Sequence, residues 1–172
     1  KDIDAFIETV KNIAPTFGGI NLEDIKAPES FEIERRLVEE LNIPVMHDDQ
    51  HGTAIISSAA LLNALELAEK KPEDIKMVVS GAGSAALACA DLYVLLGVNP
   101  KNIYMFNSKG LLTKDNPSLS SMQQKYAREG QSLTLEEALV GADLFLGLSS
   151  GDLLTPTMLL GMAENPIVFA MA

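Results

Sequence analysis

The sequence has a single cysteine, few positive charges and no long apolar run. Cys89 has no partner for an internal disulfide, and its position in an apolar helical pattern favours a buried thiol in a reducing compartment. Lysine and arginine number 13 against 24 acidic residues, and the sequence shows no basic patch, so we expect no nucleic-acid partner. Because no run of about 18 apolar residues and no amino-terminal signal pattern occur, we expect no membrane association and a cytoplasmic location.

The residues that are present favour one folded domain. Apolar residues make up 47% of the 172-residue chain, which is enough to bury a core. Strand and helix patterns alternate, so we predict an α/β fold: a Rossmann-like, doubly wound parallel sheet with helices on both faces and an amino-terminal helical segment. Residues 1–44 are the predicted helical lead-in and residues 45–172 the sheet. The predicted helices are 2–14, 30–41, 53–70, 84–96, 133–140 and 155–163; the predicted strands are 43–46, 75–80, 102–106, 142–147 and 166–172, with a polar crossover at 111–132 that contains a modest helix at 122–128.

Two pairs of adjacent carboxylates each end a short apolar segment. Asp48 and Asp49 follow the predicted strand 43–46, and Glu23 and Asp24 follow a glycine pair with apolar neighbours. Crowded carboxylates without cationic neighbours repel each other, so a hard divalent cation, Mg²⁺ or Mn²⁺, is the simplest explanation. The alternative for Glu23 and Asp24 is the first turn of a helix, where carboxylates accept hydrogen bonds from free amides. Spacing alone does not choose between Asp48 and Asp49 as the ligand.

Other polar residues near these pairs are assigned no chemistry. The charged residues of the predicted helix 30–41, Glu34 among them, are interpreted as a face in contact with water. His47 and His51 are not needed as ligands, because Mg²⁺ and Mn²⁺ accept oxygen. The first half of the predicted helix 53–70 is apolar nearly all round, which predicts a largely buried helix.

A glycine-rich turn follows the predicted strand 75–80 and opens the predicted helix 84–96. Residues 81–86 have the G-x-G-x-x-A form of the dinucleotide fingerprint in its strand-turn-helix context. The first glycine allows the turn, the second lets a pyrophosphate approach the backbone, and Ala86 permits close packing of helix on strand. The phosphates would accept hydrogen bonds from the free amides of the helix, so no basic side chain is needed. The predicted cofactor-binding residues of this loop are Gly81, Ala82, Gly83, Ser84 and Ala85.

Asn107 ends the next strand, where an NAD site usually has an acid that binds the ribose diol. Because Asn107 does not repel a 2′-phosphate, and Ser108 and Lys109 follow it, the cofactor is NADP or NAD, with a slight preference for NADP. The small-residue loop 148–152 ends another predicted strand, and its position predicts that it lies against the cofactor's ribose or nicotinamide.

Four motifs, in this order, resemble those of the bacterial malic enzymes: residues 17–24, 46–54, 80–83 and 107–110. The resemblance extends over the whole chain, and the two acidic motifs are its most specific part. It implies that Glu23, Asp24 and Asp49 are the ligands of the divalent metal and that Asp48 has a supporting role beside them.

The resemblance also implies the reaction. Malic enzymes oxidatively decarboxylate malate to pyruvate and CO₂, with hydride transfer to NAD or NADP and a divalent metal that acts as a Lewis acid. The family's catalytic tyrosine and lysine would precede Lys1, and its substrate-binding asparagine motif would follow Ala172. We therefore expect a cofactor-binding domain of a longer enzyme, with negligible turnover on its own, and a homo-oligomer, dimer or larger, for the full-length enzyme.

Two other functions fit part of the pattern. A malolactic enzyme shares these motifs and uses NAD and Mn²⁺ without net redox chemistry, so its product is lactate in place of pyruvate. A non-catalytic nucleotide-sensing module would keep the glycine loop but has no use for four clustered carboxylates. An Asp49→Asn substitution would leave such a sensor intact and remove the metal dependence of an enzyme.

Overall fold

The chain forms two sheets of different size. A computed structural model describes residues 2–130 and 132–172. In the smaller sheet, strands β1 (Ile20–Leu22) and β2 (Val45–His47) pair in parallel. Helices α1 (Ile3–Ile13) and α2 (Glu29–Glu40) accompany this pair. The four elements share a small apolar core of Ile7, Val10, Leu22, Ile33 and Leu37.

The larger sheet has five strands. They are β3 (Met77–Ser80), β4 (Ile103–Asn107), β5 (Gly110–Leu111), β6 (Leu144–Gly147) and β7 (Ile167–Ala170), in the spatial order β5-β4-β3-β6-β7. All are parallel except β5, which runs antiparallel to β4 at the edge. The chain leaves the central β3 for β4 on one side and returns to β6 on the other side, which is the doubly wound arrangement.

Helices cover both faces of this sheet, as predicted. They are α3 (Asp48–Leu67), α4 (Ser84–Leu95), α5 (Ser121–Gln124), α6 (Leu135–Leu139) and α7 (Pro156–Leu160). Side chains alternate along each strand, so the two faces have separate cores. The core under α3 and α4 contains Met77, Val79, Met105, Leu144 and Leu146. The core under α6 and α7 contains Val78, Phe106 and Phe145.

Helix α3 differs from its prediction in two ways. It begins at Asp48, five residues earlier than predicted, so both carboxylates of this pair lie in its first turn. The helix is also not buried all round: Ile55, Ile56 and Leu62 are 59%, 67% and 51% exposed. The reason is that only one side of α3, which carries Ala54, Ser57, Ser58, Leu61 and Leu65, faces α4 and the sheet.

Smaller differences concern short elements. Strand β2 pairs with β1 and lies outside the five-stranded sheet, because α3 begins directly after its three residues. The two-residue strand β5 was not predicted, since it is too short to show an alternating pattern. The predicted helices 122–128 and 155–163 are shorter than expected. Gln131, in the predicted crossover 111–132, lies outside the described residues.

Cys89 is buried, which confirms the predicted buried thiol. It is fully inaccessible between α4 and α3, where its sulfur lies 3.4 Å from Ser57 Oγ. Burial raises the pKa of the Cys89 thiol, so the reactive thiolate is disfavoured. In residues 2–130 and 132–172, no helix combines the length and the apolar character that crossing a bilayer requires.

Candidate functional site

Both acidic pairs follow strands of the small sheet. Leu22 at the end of β1 pairs in register with His47 at the end of β2, so the residues that follow each strand emerge side by side. The ligand atoms of Glu23, Asp24 and Asp49 all lie within 4.8 Å of one another. The structure thus brings together the three predicted metal ligands.

The local backbone holds this group in place. Asp24 adopts a left-handed conformation, with φ 54°, and its N–H donates to Asp49 Oδ2 at 3.1 Å. Asn21 Nδ2 donates to Glu23 Oε2 at 3.0 Å. Helix α2 begins only at Glu29, so the alternative interpretation of Glu23 and Asp24 as a helical first turn is wrong.

The donor set fits a hard divalent cation. Three carboxylates offer only oxygen atoms, which Mg²⁺ and Mn²⁺ prefer. Within the described part of the chain, no lysine or arginine lies within 4.0 Å of these carboxylates to neutralise their repulsion. Buried His47 adds a second observation, because both of its ring nitrogens lack a hydrogen-bond partner among the described residues and Nε2 lies 3.4 Å from Asp49 Oδ2.

Asp48 stands apart from the three clustered carboxylates. It is half-buried in the first turn of α3, and its carboxylate lies so close to Gly52 that a Cβ at that position would collide with it. The geometry therefore separates Asp48 from Asp49, which the spacing alone could not do. A supporting role for Asp48 stays a prediction.

Glu34 was expected to face water, and that expectation is wrong. Its side chain on α2 is only 12% exposed, because α2 packs against β2. Glu34 Oε1 accepts the backbone N–H of His47 at 2.9 Å and lies 2.9 Å from His51 Nε2. One carboxylate thus contacts both histidines that flank the acidic pair. The sequence gives no sign of this contact, since Glu34 sits in a helix of alternating charges.

The glycine turn lies at the carboxyl end of β3. Gly81 has φ +133°, and a Cβ there would approach Leu148 O to 2.9 Å. The Gly81 N–H donates to Phe106 O at 2.9 Å, so the turn is tied to β4. On the other side, the Leu148 N–H donates to Ser80 O at 2.8 Å and Ser80 Oγ lies 2.8 Å from Ser149 Oγ. Only glycine fits this crowded turn.

The second glycine has the opposite surroundings. Gly83 is the N-cap of α4, it is exposed, and a Cβ there would meet nothing within 4 Å. No side chain in residues 2–130 or 132–172 caps this helix end, so its first amides are open to an acceptor. Ala82 O accepts a hydrogen bond from Gln123 Nε2 at 3.0 Å, a contact that the sequence did not reveal. Ser84 and Ala85 form the first turn of α4, and Ala86 is buried beneath it.

Asn107 ends β4 at the same edge of the sheet, because Ser80 pairs with Phe106 in register. Its Oδ1 accepts the Lys109 N–H at 2.8 Å, which fixes the turn. Ser108 and Lys109 are exposed beside it. The loop after β6 lies at this edge as well, as its contact with Ser80 shows.

Comparisons with known proteins point to one enzyme family. A family model described as "Malic enzyme, NAD binding domain" matches residues 50–172, and a second one, "Malic enzyme, N-terminal domain", matches residues 1–38. This chain belongs to the malic enzyme family. The resemblance inferred from the four motifs is therefore confirmed, and so is the Rossmann-like fold class.

Individual malic enzymes match along nearly the whole chain. The NAD-dependent malic enzyme of Rhizobium meliloti is 51% identical over 99% of the chain, which covers 22% of that protein. The NADP-dependent malic enzyme of Salmonella typhimurium is 52% identical over 99% of the chain, which covers 23% of that protein. The crystal structure of the NAD-dependent malic enzyme from Thermotoga maritima superposes with a TM-score of 0.91 at 45% identity, covering 99% of this chain and 46% of that one. The chain thus spans less than a quarter of the length of the Rhizobium meliloti and Salmonella typhimurium enzymes.

Proposed function

We propose that this chain is the part of a malic enzyme that binds NAD or NADP together with Mg²⁺ or Mn²⁺, for the oxidative decarboxylation of (S)-malate to pyruvate and CO₂. The proposal rests mainly on the close approach of the carboxylate oxygens of Glu23, Asp24 and Asp49, which lie within 4.8 Å of one another. A glycine loop alone serves many nucleotide-binding proteins, but a nucleotide sensor has no use for an additional hard-cation site.

The metal ligands in this proposal are Glu23, Asp24 and Asp49, and Asp48 has a supporting role next to them. A divalent cation bound there would act as a Lewis acid on the oxygen atoms of the substrate. The hydrogen bond from the Asp24 N–H holds Asp49 in its position, and Glu34 fixes the end of β2 through the His47 N–H. These contacts preorganise carboxylates from two distant segments.

The proposed cofactor site is the turn between β3 and α4. Gly83 leaves room for a pyrophosphate, and the open amides of Ser84 and Ala85 would donate to it at the positive end of α4. Gly81 and Ala82 shape the turn, and Asn107 lies at the adjacent strand end for the ribose. Relatives of both cofactor types match this chain about equally well, so NAD and NADP both stay in the proposal.

Two further proposals concern the whole protein. We expect a homo-oligomer, dimer or larger, because Ile55, Ile56 and Leu62 leave an apolar strip of α3 exposed. Sedimentation velocity would test this, and a monomer at all concentrations would contradict it. A cytoplasmic location agrees with the single free cysteine.

Product analysis tests the reaction. The full-length protein is incubated with (S)-malate, Mn²⁺ and either NADP or NAD. We expect equal amounts of pyruvate and reduced cofactor, and no turnover in the Asp49→Asn variant. Lactate without net cofactor reduction would instead assign a malolactic activity. A folded protein that gives neither product would contradict the proposal.

A further inference from the structure

A polar cavity lies at the opposite end of β4 from the proposed cofactor site, and its lining includes none of the proposed metal ligands. It has a volume of about 520 Å³ and is built at the amino end of β4, from the residues around Ile103 and the segment that follows α5. Asn107, in the proposed cofactor site, is at the carboxyl end of the same strand. At about 3.3 Å per residue, the two strand ends lie roughly 13 Å apart.

The charge of this region is opposite to that of the whole chain. Residues 99–130 contain five lysine or arginine residues and two acidic ones, a net charge of +3, while the remaining residues have eight against 22, a net charge of −14. Four of the five cations line the cavity: Lys101, Lys114, Lys125 and Arg128. They are not adjacent in the sequence, which explains why no basic patch was recognised from it.

In the part of the chain that the structure describes, Arg128 is held in place without a carboxylate partner. Its Nη1 donates to Lys101 O at 2.6 Å and to Ile103 O at 3.2 Å, and its guanidinium stacks 3.9 Å from the centre of the Tyr104 ring. Among the described residues, its Nε and Nη2 donors have no hydrogen-bond partner. A guanidinium has five N–H donors in a rigid fork that suits phosphate and carboxylate groups. The open side of this fork is therefore preorganised for an oxyanion.

The other cations add positive charge that is only partly neutralised. Lys101 forms no ion pair within the described residues. Lys114 pairs with Glu129 at 2.7 Å, and that carboxylate is 81% exposed. Lys125 pairs with Asp91 at 2.5 Å; the two side chains are 56% and 40% exposed, and Asp91 also accepts the Tyr126 hydroxyl. Exposed pairs of this kind are weak, so an incoming anion can compete for these lysines.

Lys76, outside the cavity, contacts the same aromatic ring as Arg128. Its Nζ lies 5.1 Å from the centre of the Tyr104 ring, which also contacts Arg128. Burial lowers the pKa of the Lys76 amino group, and the charge of Arg128 lowers it further, although Asp143 acts in the opposite direction.

We propose that this cavity binds a small, doubly charged oxyanion, a phosphate or a dicarboxylate, through the fork of Arg128 and the amino group of Lys101. The ligand would be an effector and not a substrate, because the cavity lies at the opposite end of β4 from the proposed cofactor site. The proposal does not depend on the proposed function, since it rests on neither the metal ligands nor the glycine loop.

Titrations followed by amide chemical shifts test the site. The ¹⁵N-labelled chain is titrated with inorganic phosphate and, in a second series, with succinate, at constant ionic strength and without Mn²⁺ or dinucleotide. We expect saturable shifts centred on residues 101–103 and 126–129. The tighter of the two probes identifies the source of the oxyanion. Shifts that follow ionic strength alone, or that saturate elsewhere, would overturn the proposal.

Substitutions distinguish a specific anion site from nonspecific electrostatic attraction. Arg128→Gln removes the fork and is expected to weaken binding about tenfold, as for a lost charged hydrogen bond. Lys71→Gln is the matched control, because Lys71 is an exposed lysine outside the cavity, and it should change nothing. Equal losses in both variants would overturn the proposal. If Arg128→Gln does not fold, Lys101→Glu is tested in its place and should weaken anion binding. Unchanged affinity in that variant would overturn the proposal.

Discussion

The glycine turn and the acidic cluster are built in opposite ways. The turn is continuous in sequence, from Ser80 to Ala86, and its shape is fixed by backbone contacts with β4 and with the loop after β6. The acidic cluster joins Glu23 and Asp24 to Asp49, which is 25 residues away, and its contacts involve side chains. One region is made by local conformation and the other by the pairing of two short strands.

This difference predicts how each region responds to mutation. At Gly81 in the turn, an added methyl group would collide with the backbone of Leu148, so the stability of the fold should fall along with dinucleotide binding. In the cluster, the side chains are exposed or half-exposed, so a substitution should remove a ligand and leave the fold intact. Stability and binding measurements together can therefore distinguish the two regions.

The largest effect is expected at Gly81. Gly81→Ala places a Cβ 2.9 Å from Leu148 O at φ +133°, which should destabilise the fold by ~2–4 kcal/mol. Thermal unfolding followed by circular dichroism should show a melting temperature lower by roughly 5–10 °C. Gly83→Ala is the matched control, since its Cβ would meet nothing within 4 Å. That control should keep its stability and lose dinucleotide affinity; equal melting temperatures for both variants would contradict the account of the turn.

The next largest effect concerns Asp49. Asp49→Asn removes one of three charged ligands, and Mn²⁺ affinity, measured by the loss of the free-ion paramagnetic resonance signal, should fall about 100-fold. Dinucleotide affinity and melting temperature should not change. Asp48→Asn is the comparison: Asp48 lies outside the cluster and has only a supporting role, so this variant should lose less Mn²⁺ affinity than Asp49→Asn. If the two variants lose Mn²⁺ affinity equally, the geometric choice of Asp49 is wrong.

A smaller effect is expected at Glu34, which acts on the cluster only through the His47 N–H. Glu34→Ala should weaken Mn²⁺ binding by about tenfold, the lower end of the range for residues that support metal ligands. Glu34→Gln keeps an oxygen that can accept this hydrogen bond and should restore most of the affinity. Glu39→Ala, on the exposed side of the same helix, serves as the control. Mn²⁺ affinity that is unaffected by Glu34→Ala would limit Glu34 to a packing role.

The smallest effect is expected at Asn107. Asn107→Asp places a carboxylate at the strand end where the ribose is proposed to bind, so NADP affinity should fall severalfold by charge repulsion. NAD affinity should stay the same or rise. Calorimetric titration with each dinucleotide gives the ratio of the NADP affinity to the NAD affinity. A parallel loss of both would mean that the variant disturbs the turn that Asn107 forms with Lys109.

The same contrast explains what the sequence could predict. The residues of the glycine turn, the alternating helices and strands and the two acidic pairs were recognised because each is a local pattern. The contact of Glu34 with both histidines and the cavity around Arg128 were missed, because they unite segments that are far apart along the chain. The exposed strip of α3 was missed for a related reason: an apolar helix does not reveal which of its sides meets a partner.

Calorimetric titration of NADP and NAD into the 172-residue chain, with and without Mn²⁺, tests the central claim most directly. The account predicts one dinucleotide site per chain, saturable Mn²⁺ binding that Asp49→Asn weakens about 100-fold, and dinucleotide binding that Gly83→Ala weakens. A folded chain that binds neither dinucleotide would contradict the assignment of the cofactor site, and Mn²⁺ binding that is equally tight without Asp49 would contradict the assignment of the metal site.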